Sequence, residues 1–183
     1  MRHGESHANA MGIYGSFEDP LTRKGVLQAQ RTSKLLIKTK LSGIYSSPVK
    51  RAYDTAGIIA KEHNMTVKVN KAFVEPGVGA AVGEKHLYIP SVHRSFYAEK
   101  VEDMQAKIAN AANKIAKKHS GDVLIVSHAT PIRLLIYYYI DKKLTKSSNH
   151  TLSIGTGSLS IISFEHRVPT LLISNYPDGL QGL

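Results

Sequence analysis

The sequence contains no cysteine, which excludes a disulfide framework and any metal site built from thiolates. Its apolar runs are too short to cross a bilayer, and its polar, charged first residues do not resemble a secretory leader. Acidic residues are also few, 14 Asp and Glu against 24 Lys and Arg, which leaves a net charge of +10. We therefore expect a cytoplasmic protein with no membrane partner, whose field attracts anions.

The excess of basic residues does not by itself identify the anion, because small phosphoesters and nucleic acid would both be attracted. The lysines are scattered, as at Lys107, Lys114, Lys117 and Lys118, and no basic run is interleaved with the aromatic residues of a stacking platform. This pattern argues against nucleic acid and favours a solvated basic face. The sequence leaves the oligomeric state open, a homo-oligomer included.

The length and composition suit one domain, because 183 residues with 42% hydrophobic side chains can build a substantial core. We therefore predict a single domain over residues 1–183. Helical and strand patterns alternate along the chain, and Thr22 is predicted to cap the first helix. The predicted helices cover 22–39, 48–63, 101–121 and 131–140, and the predicted strands cover 43–47, 66–70, 122–126, 158–164 and 170–174. This order predicts an α/β sandwich with a mainly parallel sheet.

Polar side chains follow two of the predicted strands. Ser46 and Ser47 end the strand at 43–47, and His128 comes after the strand at 122–126. In parallel α/β sheets, ligands bind beyond the carboxyl ends of the strands. These side chains therefore lie where a ligand is expected, and the glycine-rich stretch 75–84 is predicted to be a loop.

A cation, an imidazole and a glycine follow one another at Arg2-His3-Gly4, which suits binding of an anion and attack by a nucleophile. Three more motifs follow in order: Asp19-Pro20-Leu21-Thr22-x-x-Gly25, Ser46-Ser47-Pro48-x-x-Arg51-Ala52-x-x-Thr55-Ala56 and Ser127-His128-Ala129. Together they resemble the histidine phosphatase superfamily, also called phosphoglycerate mutase-like, over nearly the whole chain. The resemblance implies a three-layer α/β sandwich with helices on both faces of the sheet. It also implies that His3 is phosphorylated during turnover, with Arg2, Arg51 and His128 around the phosphoryl group.

Phosphoryl transfer needs these residue types. Attack on a phosphomonoester moves charge onto equatorial oxygens, which guanidinium groups and imidazole donors stabilise without a metal ion. A neutral His3 supplies a lone pair near physiological pH, and the phosphohistidine it forms is labile enough for water to cleave. His128 is placed to donate a hydrogen bond, and the helix N-terminus that follows it adds partial positive charge.

We expect neither a cofactor nor a metal. His3 and His7 are four residues apart, as in helical metal pairs, but Gly4 disfavours a helix there and no third ligand is evident.

The resemblance also implies a general acid that protonates the leaving alkoxide. In relatives this is a Glu with glycines four and eight residues later, and Glu75 has Gly79 and Gly83 at those offsets. A carboxyl group near a bound phosphate has a raised pKa, which suits a general acid. Relatives carry an aromatic residue and an acid just before the second glycine, where this chain has Ala81-Val82. Glu84 therefore remains the alternative.

Two positions near the N-terminus leave alternatives open. Asn9 lies where relatives often have an Asn that contacts the phosphate, and the other interpretation is a simple turn residue. Relatives also place a short apolar strand directly before the Arg-His-Gly motif, whereas only Met1 precedes it here. Because loss of a central strand would unpair both neighbours, we expect either that the functional polypeptide starts upstream or that something else holds the site.

These observations predict a metal-independent phosphomonoester hydrolase that acts through His3 on a small phosphorylated metabolite. The alternative enzyme is a cofactor-dependent phosphoglycerate mutase, for which Lys85, His86 and Arg94 would supply a carboxylate site. A further alternative is a weakly active phosphate- or nucleic-acid-binding module. Hydrolysis is preferred because residues 76–81 are small and lack the tyrosine of mutase relatives, which indicates a mouth open to water. The stretch 83–99 is expected to form the wall that contacts the leaving group.

Overall fold

Three parallel strands in the order β2-β1-β3 form the central sheet, and β4 and β5 form an antiparallel pair. The structure is a computed structural model that describes residues 1–77, 82–85, 101–140, 152–164 and 169–176. The strands are β1 (Leu41–Ser46), β2 (Val67–Val69), β3 (Asp122–Val126), β4 (Leu159–Ser163) and β5 (Thr170–Tyr176). The helices are α1 (His7–Met11), α2 (Arg23–Leu36), α3 (Lys50–Glu62), α4 (Val101–Lys118) and α5 (Ala129–Tyr139).

Alternating side chains of the central strands divide the core into two layers. In β1, Ile44 packs towards α3, while the next residue, Tyr45, packs towards α4 and α5. In β3, Leu124 and Val126 join the first layer, and Val123 and Ile125 join the second. Because successive side chains of a strand point to opposite faces, helices cover both faces of the sheet. The predicted α/β sandwich with a mainly parallel sheet is therefore the observed fold.

The predicted start of α2 is confirmed, whereas the predicted start of α3 is wrong. The Thr22 hydroxyl accepts a hydrogen bond from the amide of Gly25 at 3.1 Å, which is the geometry of an N-cap. We predicted that Pro48 opens α3, but that helix begins at Lys50. The reason is that Ser47 continues the pairing of β1 with β3, since its amide donates to the carbonyl of Val126 at 3.0 Å. The chain therefore turns into the helix only after Ser47.

The short helix α1 was not predicted. Ser6 caps it: the Ser6 hydroxyl accepts from the amide of Asn9, and the Asn9 side chain accepts from the amide of Ser6. Gly12 ends the helix in the left-handed conformation at a φ of 66°. The signal for this helix was the Ser-x-x-Asn spacing, which satisfies two backbone donors at its N-terminus.

The backbone of residues 1–3 lies between β3 and the start of β4. The Met1 amino group donates to the carbonyl of Ile125 at 2.9 Å, and the carbonyl of Met1 accepts from Ser127 at 3.0 Å. On the same side, the amide of His3 donates to the carbonyl of Ser127 at 2.9 Å. On the opposite side, the amide of Arg2 donates to the carbonyl of Ser158 at 2.9 Å. These bonds to both neighbours hold the Arg-His-Gly motif in the structure.

Parts of the sequence-based prediction lie outside the described residues. They include residues 78–81 of the predicted loop and most of the expected leaving-group wall, 86–99, with His86 and Arg94 of the alternative carboxylate site. Within the described ranges, no helix is both long enough and apolar enough to span a membrane.

Candidate active site

The carboxyl ends of neighbouring strands bring the predicted site residues together. His3 follows the paired residues 1 and 2, Ser47 follows β1, and His128 follows β3 by two residues. The rings of His3 and His128 meet edge to face, with their centroids 5.0 Å apart. The site therefore lies at the edge of the sheet where ligands bind in α/β folds.

His3 is held as a neutral imidazole with its lone pair on Nε2. Its Nδ1 lies 2.7 Å from the carbonyl oxygen of Gly4, and because a carbonyl only accepts, Nδ1 carries the proton. Arg51 donates from its Nε to Nε2 of His3 at 3.2 Å, which requires a lone pair on Nε2. Burial, and then the charges of Arg2 and Arg51, hold the pKa of the His3 imidazole well below its ordinary value. At neutral pH, Nε2 is therefore available for attack.

Two arginines place positive charge beside His3. Arg51 lies in the first turn of α3, and its Nη1 donates to the carbonyl of Ser16 at 2.9 Å. Arg2 donates from Nη1 to the carbonyl of Ile154. Burial lowers the pKa of each guanidinium, yet an arginine keeps its charge in proteins. Anchored by backbone carbonyls, the two groups are preorganised donors for an anion.

His128 caps α5 and completes the cluster around His3. Its Nε2 lies 2.9 Å from the hydroxyl of Ser47, which accepts from the amide of Val49 at 3.3 Å. When the Ser47 hydroxyl donates to Nε2, the proton of the neutral His128 ring is on Nδ1. Burial, and then the nearby His3 and the arginines, keep the pKa of His128 well below its usual value.

Two buried nitrogen atoms of the site lack a partner. Among the described residues, Nδ1 of His128 and Nε of Arg2 have no hydrogen bond within the protein. Because buried polar groups are nearly always paired, these atoms are available to bind a polar ligand. A phosphoryl group carries the oxygen acceptors that such donors require.

Glu75 reaches the same cluster from the other side. Its Oε2 accepts from the backbone amide of Thr130, in the first turn of α5, at 3.3 Å. Burial raises the pKa of Glu75, and its hydrogen bonds to Thr130 and the charges of Arg2 and Arg51 partly offset this effect. A raised pKa keeps a proton available for a leaving group. The N-terminus of α5 is predicted to add partial positive charge near the phosphoryl group, and one of its amides, that of Thr130, is bound to Glu75.

The competing acid lies elsewhere. Glu84 is exposed, and its backbone carbonyl accepts from the amide of Tyr14 at 2.9 Å. Gly83 has a φ of 85°, whereas Gly79 lies outside the described residues. The geometry therefore favours Glu75 over Glu84 as the acid.

Asn9 is engaged in capping. Its Oδ1 accepts from the amide of Ser6 at 3.2 Å and from the Ser6 hydroxyl at 3.1 Å. A contact of Asn9 with phosphate therefore stays a prediction. His7, considered above with His3, is exposed, and the described residues contain no group of three His, Asp or Glu side chains able to hold a metal ion.

Sequence reasoning did not assign a role to Thr55 or Asp19, although both belong to the quoted motifs. Thr55 is fully buried, accepts from the amide of Gly4 at 3.0 Å and donates to the carbonyl of Arg51 at 2.7 Å. Asp19 is buried, accepts from the amide of Ala8 at 3.2 Å and supports the charge of Arg51. Their membership of the motifs was the signal that could have found them.

Residues 1–177 match the family model of the histidine phosphatase superfamily (branch 1). The chain belongs to the histidine phosphatase superfamily. The family and the α/β sandwich predicted from the sequence are thereby confirmed.

Two curated relatives carry different activities in their names. The chain is 33% identical to a 2,3-bisphosphoglycerate-dependent phosphoglycerate mutase of Thermoplasma acidophilum, over 99% of this chain and 94% of that protein. It is 28% identical to phosphoserine phosphatase 1 of Hydrogenobacter thermophilus, over 96% of this chain and 90% of the relative.

Solved structures in the superfamily share the fold. A phosphoserine phosphatase of Entamoeba histolytica, solved with phosphoserine, superposes with a TM-score of 0.81 at 23% identity, over 95% of this chain and 93% of that one.

Proposed function

We propose that this protein hydrolyses a small phosphomonoester through a covalent phosphohistidine on His3, without a metal ion. The observation that carries the proposal is the neutral His3 imidazole, whose Nδ1 is bound to Gly4 and whose Nε2 faces Arg51. A lone pair beside two buried guanidinium groups suits attack on the phosphorus atom of a bound monoester.

In the first step, Nε2 of His3 attacks phosphorus and the bond to the alkoxide oxygen breaks. Arg2, Arg51 and His128 stabilise the charge on the equatorial oxygens, while Glu75 gives its proton to the leaving oxygen and releases an alcohol. In the second step, the Glu75 carboxylate takes a proton from water, which attacks the phosphohistidine and releases inorganic phosphate. Glu75 is protonated again at the end, because it has taken the proton of the attacking water.

We also propose that the chain is one catalytic domain acting on a phosphorylated metabolite. The match to the family model over residues 1–177 supports a single domain. The relatives named above act on phosphoserine or on phosphoglycerate, two small phosphorylated carboxylic acids, which supports substrates of that class.

A mutase is the second candidate, favoured by the mutase name of the 33% identical relative. A mutase must return the phosphoryl group to a bound intermediate before water reaches it. Directly after Glu75, Pro76 is half-buried and Gly77 is exposed. Small residues at this position support an open mouth and therefore hydrolysis.

The deciding experiment supplies 3-phosphoglycerate with catalytic 2,3-bisphosphoglycerate and follows both 2-phosphoglycerate and free phosphate. A parallel screen of phosphorylated metabolites, phosphoserine among them, is run with and without chelator. We expect phosphate release to exceed isomer formation and to be insensitive to chelator. Faster formation of the isomer would establish the mutase, and salt-sensitive nucleic-acid binding without turnover would establish a binding module.

The nucleophile is tested by His3→Ala. We expect this variant to lose turnover and to form no acid-labile phosphoenzyme when it is mixed with labelled substrate, because the imidazole is the group that becomes phosphorylated. His7→Ala, four residues away on an exposed position, is the matched control and should retain both. Near-normal activity of His3→Ala would disprove the proposed mechanism.

A further inference from the structure

The peptide unit between Gly4 and Glu5 is bound at both of its polar atoms. Its carbonyl oxygen accepts from Nδ1 of His3 at 2.7 Å, and its N–H donates to Oε1 of Gln28, also at 2.7 Å. Because a peptide is planar and trans, the C=O and N–H groups point in opposite directions. A bond that fixes the N–H therefore also fixes the direction of the carbonyl that His3 uses.

Gln28 is itself held in place by buried contacts. It lies inside α2 with 2% of its surface exposed. Its Nε2 donates to the carbonyl of Thr156 at 3.2 Å and to the Thr156 hydroxyl at 3.3 Å. The next residue, Gly157, donates from its amide to the carbonyl of His3 at 2.8 Å. The Gln28 amide thus joins both segments that position His3.

Gly157 also shows how tightly this region is packed. Its φ is 72°, and a Cβ at this position would lie 2.8 Å from the Cβ of Gln28. The backbone of Gly157 therefore packs directly against the Gln28 side chain. In such a dry environment, linked hydrogen bonds polarise one another, so the bond to Gln28 makes the Gly4 carbonyl a better acceptor.

We propose that Gln28 is a positioning residue that keeps the His3 proton on Nδ1 and the lone pair on Nε2. It acts through the Gly4–Glu5 peptide and does not touch the reacting atoms. Arg51 favours the same tautomer from the Nε2 side, so Gln28 controls the opposite side of the ring. This inference rests on the proposed role of His3 as the nucleophile.

The main test replaces Gln28 by Met, which has a similar length but cannot accept the Glu5 N–H. Activity is measured with para-nitrophenyl phosphate, and the tautomer of His3 by ¹⁵N NMR of imidazole-labelled protein, with the His3 signals identified from their absence in His3→Ala. We expect Gln28→Met to lower kcat roughly tenfold with KM within about twofold. We also expect it to shift the His3 ¹⁵N resonances towards the other tautomer.

A second variant separates positioning from simple packing. Gln28→Glu keeps an oxygen that can accept from the Glu5 N–H, and it should restore most of the native tautomer. Ser33→Ala is the matched control in α2: Ser33 is buried at 1% exposure, and its hydroxyl has no partner among the described residues. It should leave kcat and the His3 resonances unchanged.

The inference is overturned if Gln28→Met folds and shows the wild-type ¹⁵N pattern of His3, whatever its kcat. If Gln28→Met does not fold, a Gln28→Glu protein whose His3 has the non-native tautomer would equally overturn it. The proposed function fails on a different result, namely turnover by His3→Ala. The NMR comparison is therefore decisive for Gln28 independently of the reaction.

Discussion

Arg51 contacts Nε2 of His3, the proposed nucleophile, and is expected to contact the substrate as well. Its guanidinium is fixed by His3 on one side and by the carbonyl of Ser16 on the other. Removal of one preorganised charge donor costs roughly 3 kcal/mol in the transition state, or about two orders of magnitude in rate. We expect Arg51→Ala to lower kcat/KM of para-nitrophenyl phosphate hydrolysis by that amount. Arg31→Ala, an exposed arginine of α2, controls for net charge, and a loss below tenfold would exclude the role of Arg51.

Glu75 is tested by the nature of the leaving group. A raised pKa matters only when the leaving oxygen needs a proton, and a phenolate leaves without help whereas an alkoxide does not. Glu75→Gln should therefore slow phosphorylation of His3 by phosphoserine severely and spare the initial burst of para-nitrophenolate, whereas the second step slows equally for both substrates. The control is Glu84→Gln, on the exposed competitor. A burst of para-nitrophenolate that slows as much as phosphorylation by phosphoserine would place the general acid elsewhere.

The sequence predicted which residues lie close together better than it predicted how they are connected. Arg2, His3, Arg51 and His128 meet because they follow strand ends or begin a helix, and such positions can be read from motifs. The bond between Glu75 and the Thr130 amide could not be read, because it depends on how a loop packs against a helix end. Local pattern carries no information about such contacts between distant segments.

At the scale of elements, α2 lies directly against the segment that follows His3. A Cβ on Gly25 would lie 2.1 Å from the carbonyl oxygen of Glu5, and one on Gly4 would lie 2.4 Å from the carbonyl oxygen of Gly25. No side chain fits between the two backbone segments, which explains why the motif Arg2-His3-Gly4 and the motif that begins at Asp19 both end in glycine. The approach also places Thr22, whose amide donates to the carbonyl of Glu5 at 2.9 Å.

We therefore expect Gly25→Ala to lower the free energy of unfolding by roughly 1 to 3 kcal/mol, because the helix must move away. Gly57→Ala is the matched control inside α3, where an added Cβ meets no atom within 4 Å. It should raise the stability by roughly 0.5 to 1 kcal/mol, the usual gain for alanine in a helix. Urea denaturation measures both, and equal effects of the two substitutions would contradict the close contact.

Secondary structure was predicted well wherever one local signal dominates. The β-branched run of β3 and the Thr22 cap are examples, since burial and capping act within a few residues. Helix α1 was missed because five residues carry no measurable periodicity. The start of α3 was misplaced because Pro48 is compatible with the first turn of a helix. The hydrogen bond of Ser47 to β3 instead keeps the chain extended up to that residue.

At the scale of the whole molecule, the buried imidazoles make folding depend on pH. The pKa values of His3 and His128 are lowered in the folded state, so below about pH 6.5 only the unfolded chain takes up these protons. Burial also lowers the pKa of the Met1 amino group to about 5, which acts in the same direction below pH 8. The raised pKa of Glu75 opposes them: its contribution is present below about pH 4.5 and is lost as pH rises through the folded value.

Stability should therefore be highest near pH 8 and fall as the pH is lowered, by up to about 1.4 kcal/mol per pH unit for each titrating group. Urea midpoints measured between pH 8 and pH 5.5 test this expectation. His128→Asn should flatten the dependence below pH 6.5, since one of the two histidine contributions is removed. A midpoint that rises as the pH falls would show that other groups control the stability.

The backbone bonds of residues 1–3 also determine when the site can form during synthesis. Their partners lie at residues 125–127 and 157–158, so the pairing closes loops of more than a hundred residues. At ribosomal rates of about 5 to 20 residues per second, the segment with His3 is made on the order of ten seconds before Ser158. The nascent chain therefore carries His3 without these hydrogen-bond partners until the segment around Ser158 has been made, and the proposed site can form only then.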